Sequence, residues 1–361
     1  INEVSREKFR WVAGHRFAVR NAELPFDVIE GPEYFADASF ARALAPEVPL
    51  VVKMHTPSLL IAQLNKKPGI ANLATDHLRN LRGWASCLLR SKRPQPWPWD
   101  RLQWVYDLDQ IEAAHTASAD VVAPPCKSLC EYAKSRWSIS AERIVCAPYP
   151  YAPAANLLAL QPRTSGYVVG YMGRLERRKG IETLAAAIPL VCREIPQAKF
   201  RLFGADTIRA KSNESYASWL RKRLAKFSRN VEFVGKVALA DMPAAYGSVD
   251  VCVFPSLWEN FPNVCLEAMS AARGIVGSNQ GGMVDMLNGG QAGKLIGPNN
   301  VKGLAQEILW LLRNPDERIR IGQLARQRVL DEYNVDVIGK LTEDLYAKAI
   351  HASKQRSAVV G

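Results

Sequence analysis

Residues 167–180 read YVVGYMGRLERRKG. The first seven form a short apolar run that ends on Gly173, and Arg174 and Lys179 follow on a turn. From Gly180 the sequence IETLAAAIPLVCREI takes up helical periodicity. A β-strand running into a basic turn and then a helix is where an open α/β sheet presents its ligand sites. Backbone amides and the helix dipole favour an anion there, and two cations add a fork and a point charge suited to phosphate oxygens. The alternative for this stretch alone is a solvated basic turn, which is the reading for Arg177 and Arg178.

Downstream the alternation continues. KFRLFG, VEFVGKV, DVCVFPS, GIVGS and GKLIG are apolar β-type runs separated by helical segments near 213–228, 240–247 and from Asn263. This pattern predicts a parallel sheet covered by helices on both faces. The first half reads similarly, with DVIEG, PLVVKMH, DVVAPP and RIVCAPY as strand candidates. Residues 151–165, rich in Pro, Ala and Ser, are the best linker, and 316–352 is helical throughout.

A second motif is PSLWENFPNVCLEAMSA at 255–271. Glu259 lies in the loop after the strand DVCVF, and Glu267 lies eight residues later, early on a helix. A carboxylate there can accept hydroxyl hydrogen bonds from a ribose or sugar ring. It can equally do no more than complement the helix dipole.

The order GRLxxxKG, VEFVGKV, AYGSVDVCVFPS, Glu-x7-Glu, then Gly281-Gly282 followed by Asp285, resembles the retaining group 1, family 4 glycosyltransferases over residues 167–345. The resemblance implies an α/β fold of two Rossmann-like doubly wound domains facing across a cleft (GT-B). It implies an acceptor-binding domain at 1–163, a donor-binding domain at 164–335 and a C-terminal helix at 336–361 that packs back toward the first. Gly173, Arg174 and Lys179 would then hold the donor diphosphate, and Glu267 the ribose. Glu259, with the amides of Asn260 and Phe261, would meet the donor sugar, and Gly235 would lie near the base. PLVVKMHT resembles the strand whose terminal histidine reaches the reaction centre, so His55 and Glu259 are the catalytic candidates. The family's early Gly-Gly loop has no match in residues 1–30, so the first domain reads as incomplete at its N-terminus. APYP at 147–150 stands where the family has Pro-Asn-Gly.

The expected reaction is hexosyl transfer from a UDP- or GDP-sugar to a glycan or lipid-linked acceptor, with retention. No metal or other cofactor is expected. Asp107-Leu-Asp109 looks like a metal-binding DxD, but it precedes QIEAAHTASA and reads as the acidic start of a helix. The seven cysteines are scattered and odd in number, so no disulfide framework is implied, and Cys126 and Cys130 read as small buried residues rather than half of a zinc site. The net charge of +12 favours anionic partners. Within residues 70–104 an apolar helical face carrying Leu78, Leu81 and Trp84 is ringed by Arg79, Arg82 and Arg90, which suits either a core helix or an anionic membrane surface. A cytoplasmic location, peripheral on a membrane, is the corresponding expectation. Two other readings stay open: a catalytically silent sugar-nucleotide binder, and a basic nucleic-acid-binding protein, for which no recognised motif speaks.

Overall fold

A computed structural model describes residues 3–65, 98–162, 166–209 and 214–360. The chain divides into two compact units, Ile1–Pro124, Tyr132–Val145 and Asp344–Gly361 in one, Pro125–Glu131 and Cys146–Glu343 in the other. The amphipathic stretch proposed for a membrane surface falls mostly on residues 66–97, outside the described residues.

In the first unit three parallel strands, β1 (Ile29–Pro32), β2 (Leu50–Lys53) and β3 (Val121–Ala123), pair in the order β1-β2-β3. The central strand is buried on both faces through Leu50, Val51 and Val52, which explains its unbroken apolar run. Asp120, just before β3, accepts the Leu50 N–H at 2.9 Å and draws in Arg42 at 3.4 Å and Arg356 at 2.5 Å. Arg356 belongs to the last helix, Val335–Val360. Tyr346 of the same helix donates to Glu30 at 2.6 Å, and Lys348 to the Glu142 carbonyl.

The second unit holds six parallel strands: β4 (Val168–Met172), β5 (Lys199–Phe203), β6 (Val231–Gly235), β7 (Val251–Phe254), β8 (Gly274–Ser278) and β9 (Lys294–Ile296). Their order is β6-β5-β4-β7-β8-β9, so the chain reverses its winding direction between β4 and β7. That reversal is the switch point at which such sheets bind ligands. Two apolar clusters fill the unit. One packs Leu184, Ile188, Leu304, Ile308 and Leu311 against Val169, Tyr171 and Phe200. The other gathers Met172, Tyr246, Phe254, Leu266, Met269 and Met286. The alternating inward residues of β4 and β7 divide between the two, which places helices on both faces of the sheet.

Three sequence expectations change. RIVCAPY is not a regular strand: only Ile144 bridges Val122, and the Val145 N–H reaches the Val122 carbonyl at 2.9 Å. Pro148 and Pro150 lack the donors that would extend the ladder. Residues 151–162 are not a loose linker. They include a short helix, Ala155–Leu158, and send Leu157 into the second unit's core. Arg326 and Arg273 donate to the Leu160 and Gln161 carbonyls, each at 2.7 Å. Finally, Asp107 and Asp109 do not begin a helix but sit inside one, Pro98–Ala117. Asp109 is buried and accepts from Arg136 at 2.8 Å, Trp137 Nε1 at 3.0 Å and Tyr132 at 3.4 Å, so it anchors the helix Lys127–Trp137.

Candidate functional site

The two chemistry-bearing loops of the second unit leave neighbouring strands at the switch point. β4 runs out at Met172, and a 3-10 turn, Arg177–Lys179, leads to the helix Ile181–Glu194. Gly180 joins turn to helix at φ +72°, and a Cβ there would lie 1.8 Å from the Pro255 carbonyl oxygen. Only glycine lets the basic turn press on the end of β7. The contact is completed by the Leu257 N–H, which donates to the Arg178 carbonyl at 2.8 Å. Buried Tyr171 donates to the Arg174 carbonyl at 2.7 Å and pins the start of the turn. Burial holds its hydroxyl well above the ordinary tyrosine value, so it remains a donor.

These contacts bring Lys179 and Glu259 together across 80 residues of sequence, with Nζ 2.6 Å from Oε1. Ser256 donates to the same oxygen at 2.8 Å, and Arg178 Nη1 lies 3.9 Å from Oε2. The Glu259 side chain is 8% exposed and that of Lys179 19%, so the pair is largely removed from water. Arg174 is more open at 58% and leans on Glu176 at 3.2 Å, which Arg178 also holds at 3.0 Å. A small cavity of about 10 Å³, bounded by Tyr171, Lys179, Ser256 and Glu259, lies beside the pair.

The loop after Glu259 is fixed from behind. Gly281 sits at φ +69° and forms a bridge with Glu259, where a Cβ would come within 1.9 Å of the Glu259 carbonyl oxygen. The Gly282 N–H donates to that carbonyl at 2.9 Å. Asn260 donates to the Tyr149 hydroxyl at 3.3 Å. The Phe261 ring is buried, edge-on to Tyr333 at 5.3 Å and to Tyr149 at 6.0 Å, which leaves its backbone as the part able to meet a ligand. Asp285 accepts the Lys127 N–H at 2.7 Å and so caps the helix that follows β3.

Glu267 lies on the helix Asn263–Ser270, half-buried, with Oε2 accepting from the Tyr246 hydroxyl at 2.8 Å. Burial raises its proton affinity and the Tyr246 bond partly opposes this. Gly235 closes β6 at φ +83° with open space where a side chain would stand.

In the first unit His55 follows β2, with its side chain 55% exposed. Its N–H donates to Glu33 Oε2 at 2.6 Å, and Nδ1 lies 3.6 Å from the same oxygen. The Glu33 bond is the main reason its proton affinity is raised above the ordinary value of 6.5; burial acts the other way. His55 lines a pocket of about 370 Å³ with Pro32, Tyr34, Thr56 and Ile61. Beneath, Glu112 accepts from the Phe35 N–H, the Ser58 N–H and the Ser58 hydroxyl. Burial pushes its carboxyl up to about 7.

Sequence reasoning missed Glu33, Glu112, Ser256 and Arg178. Arg178 is not a solvated turn residue, since its side chain is only 22% exposed and reaches both Glu176 and Glu259. Among the described residues no three His, Cys, Asp or Glu side chains gather as a metal site.

A cationic turn and a carboxylate at a Rossmann switch point suit a phosphorylated ligand. Residues 166–314 match the family of glycosyl transferases group 1. The chain is 27% identical over 302 residues to glycogen synthase of Mycobacterium tuberculosis, covering 83% of this chain and 67% of that one. It is 32% identical over 174 residues to the phosphatidyl-myo-inositol mannosyltransferase of Mycolicibacterium smegmatis, covering 48% and 42%. Among solved structures, sucrose-phosphate synthase from Thermosynechococcus elongatus superimposes with a TM-score of 0.67 at 23% identity, over 96% of this chain and 80% of that one. Anabaena HepE in complex with UDP gives 0.68 at 18% identity, over 92% and 82%. The chain is a glycosyltransferase of the GT-B fold, related to the group 1 family and to glycogen synthase.

Proposed function

We propose that this enzyme transfers a hexosyl group from a UDP- or GDP-sugar, with retention, to a glycan or lipid-linked acceptor. The observation that carries the reading is the Lys179–Glu259 pair, seated with Ser256 at the end of β4 and β7. Arg174 and Lys179 take the diphosphate, and Gly173 gives the backbone room to turn toward it. When the diphosphate arrives, Lys179 exchanges a carboxylate for phosphate oxygens, and Glu259 is released to accept hydroxyl hydrogen bonds from the sugar. The amides of Asn260 and Phe261 supply donors to the same sugar. Glu267 holds the ribose and Gly235 flanks the base, where the absence of a side chain leaves room for a flat ring. The cations and the start of the helix Ile181–Glu194 stabilise the leaving diphosphate without a divalent ion. His55 acts on the reacting sugar, and the pocket it lines takes part of the acceptor. Complexes of Anabaena HepE with UDP and UDP-glucose make UDP the first nucleotide to try.

Calorimetry with UDP and GDP, followed by transfer assays with their glucose and mannose derivatives, tests the reading. Absence of binding to both nucleotides sinks it. An anionic membrane surface as a partner rests on the sequence of residues 70–104, and flotation with acidic liposomes decides it. Among the described residues no helix is long and apolar enough to cross a membrane.

A further inference from the structure

Two carboxylates are wholly buried where β1 and β2 end, and they are bonded in different ways. Glu112 is saturated: three donors from Phe35 and Ser58 fix the two ends of the surrounding loops. Glu33 is not. Among the described residues its Oε2 serves His55 alone, through the backbone N–H at 2.6 Å and the Nδ1 side of the ring at 3.6 Å. Its Oε1 has no hydrogen-bond partner among the described residues. A carboxyl oxygen buried without a partner is costly, and a loop already held by Glu112 does not need it. A carboxylate aimed at a half-exposed imidazole is a different device: it orients the ring and favours its protonated form.

Among the described residues the other charges around this group have their own partners or are neutral. Glu30 is engaged by Lys53 at 2.9 Å and by Tyr346 at 2.6 Å. Arg10 donates to the Phe35 carbonyl at 3.2 Å. His115, from the helix Pro98–Ala117, is buried with its proton affinity pushed down to about 4 and is therefore neutral near pH 7. Glu112 is half-protonated near pH 7 and adds only part of a charge. The Lys53 carbonyl also bonds the His55 ring.

We propose that Glu33 is a positioning residue, whose buried carboxylate holds the main chain and the imidazole of His55 as one unit and so presents His55 as a fixed hydrogen-bond donor to the reacting sugar. The proposal rests on the reading of His55 given above.

The test is chosen so that the two can fail separately. The chain has five histidines, so the His55 ring proton can be assigned by its loss in His55→Gln and titrated by NMR. Glu33→Gln keeps an oxygen for the His55 N–H and removes the charge. The titration midpoint should fall by about one pH unit, and kcat by about tenfold with donor KM within twofold. Glu33→Asp should recover part of both. In a His55→Gln background, Glu33→Gln should cost no further kcat. An unchanged midpoint in Glu33→Gln overturns the pairing, as does equal loss in the Gln and Asp variants. Should the variants fail to fold, a wild-type midpoint at or below 6.5 overturns it without them. Wild-type kcat in His55→Gln overturns the catalytic reading on which the proposal rests, while the midpoints still judge the pair.

Discussion

Glu112 and His115 lie one turn apart on the helix Pro98–Ala117, both buried in the first unit, and their proton affinities move in opposite directions. Burial raises the Glu112 carboxyl from 4.5 to about 7 and lowers His115 from 6.5 to about 4. Between about pH 4.5 and 6.5 the unfolded chain carries one proton, on His115. The folded chain also carries one, on Glu112. The two contributions to the slope of stability against pH therefore cancel. Each alone corresponds to about 3 kcal/mol, since one pH unit of displacement is about 1.4 kcal/mol. Removing one partner should expose the other. Glu112→Gln leaves only a histidine with a depressed folded value, so the unfolded state binds the extra proton and stability should rise by about 3 kcal/mol as pH rises from about 4 to 6.5. His115→Asn leaves only a carboxyl with a raised folded value, so stability should fall by about as much from about pH 4.5 to 7. Urea titrations of each variant and of the wild type at half-unit pH steps give the comparison. Differences from wild type remove the titrations common to all three proteins. If either difference is flat across pH 4.5–6.5, or if both slopes share a sign, the assignment of a neutral acid and a neutral base to this helix is wrong.

Arg174→Ala should weaken nucleotide diphosphate binding by about tenfold, from the loss of one charge-assisted contact, as read by calorimetry. Lys179→Ala should weaken it more and lower stability, because it also strands Glu259; unchanged affinity in both variants would falsify the phosphate assignment. Glu267→Ala should chiefly raise donor KM, whereas His55→Ala should cut kcat by about a hundredfold with donor affinity nearly intact, and the reverse pattern in steady-state kinetics refutes the division of roles. Exhaustive EDTA treatment should leave transfer unchanged; recovery of a lost activity by manganese would defeat the metal-free mechanism.

The strand-turn-helix at 167–194 is legible in the sequence because its signals are local. Apolar period, a glycine stop and a helical period all fall within one stretch of chain. Glu259 and Lys179 can each be named from sequence, but not their pairing, because 80 residues and a strand crossing separate them. Arg178 misleads for a related reason. A basic residue beside other basic residues looks solvated until a second loop covers it. Asp107 and Asp109 read as a helix start because Pro98 and the tryptophans around it mask where the helix begins. Asp109's partners lie on the next helix, at 132–137, beyond any local pattern. Glu33 carries no signal at all, since a lone glutamate after Pro32 looks like any exposed loop carboxylate until the fold buries it.

The Lys179–Glu259 pair also bears on how the donor is chosen. A largely buried ion pair contributes little net stability, because desolvation offsets attraction, but removing one member is costly. A ligand that takes over only one partner would strand the other. Phosphate alone would satisfy Lys179 and leave Glu259 with Ser256 and the more distant Arg178. A free sugar could bond Glu259 but would not draw Lys179 away from it. A nucleotide diphosphate sugar brings the anion and the hydroxyls in one molecule, so each partner exchanges its bond for an equivalent one. On the proposed reading the pair would therefore favour the intact donor over either of its fragments, and would re-form when the products leave.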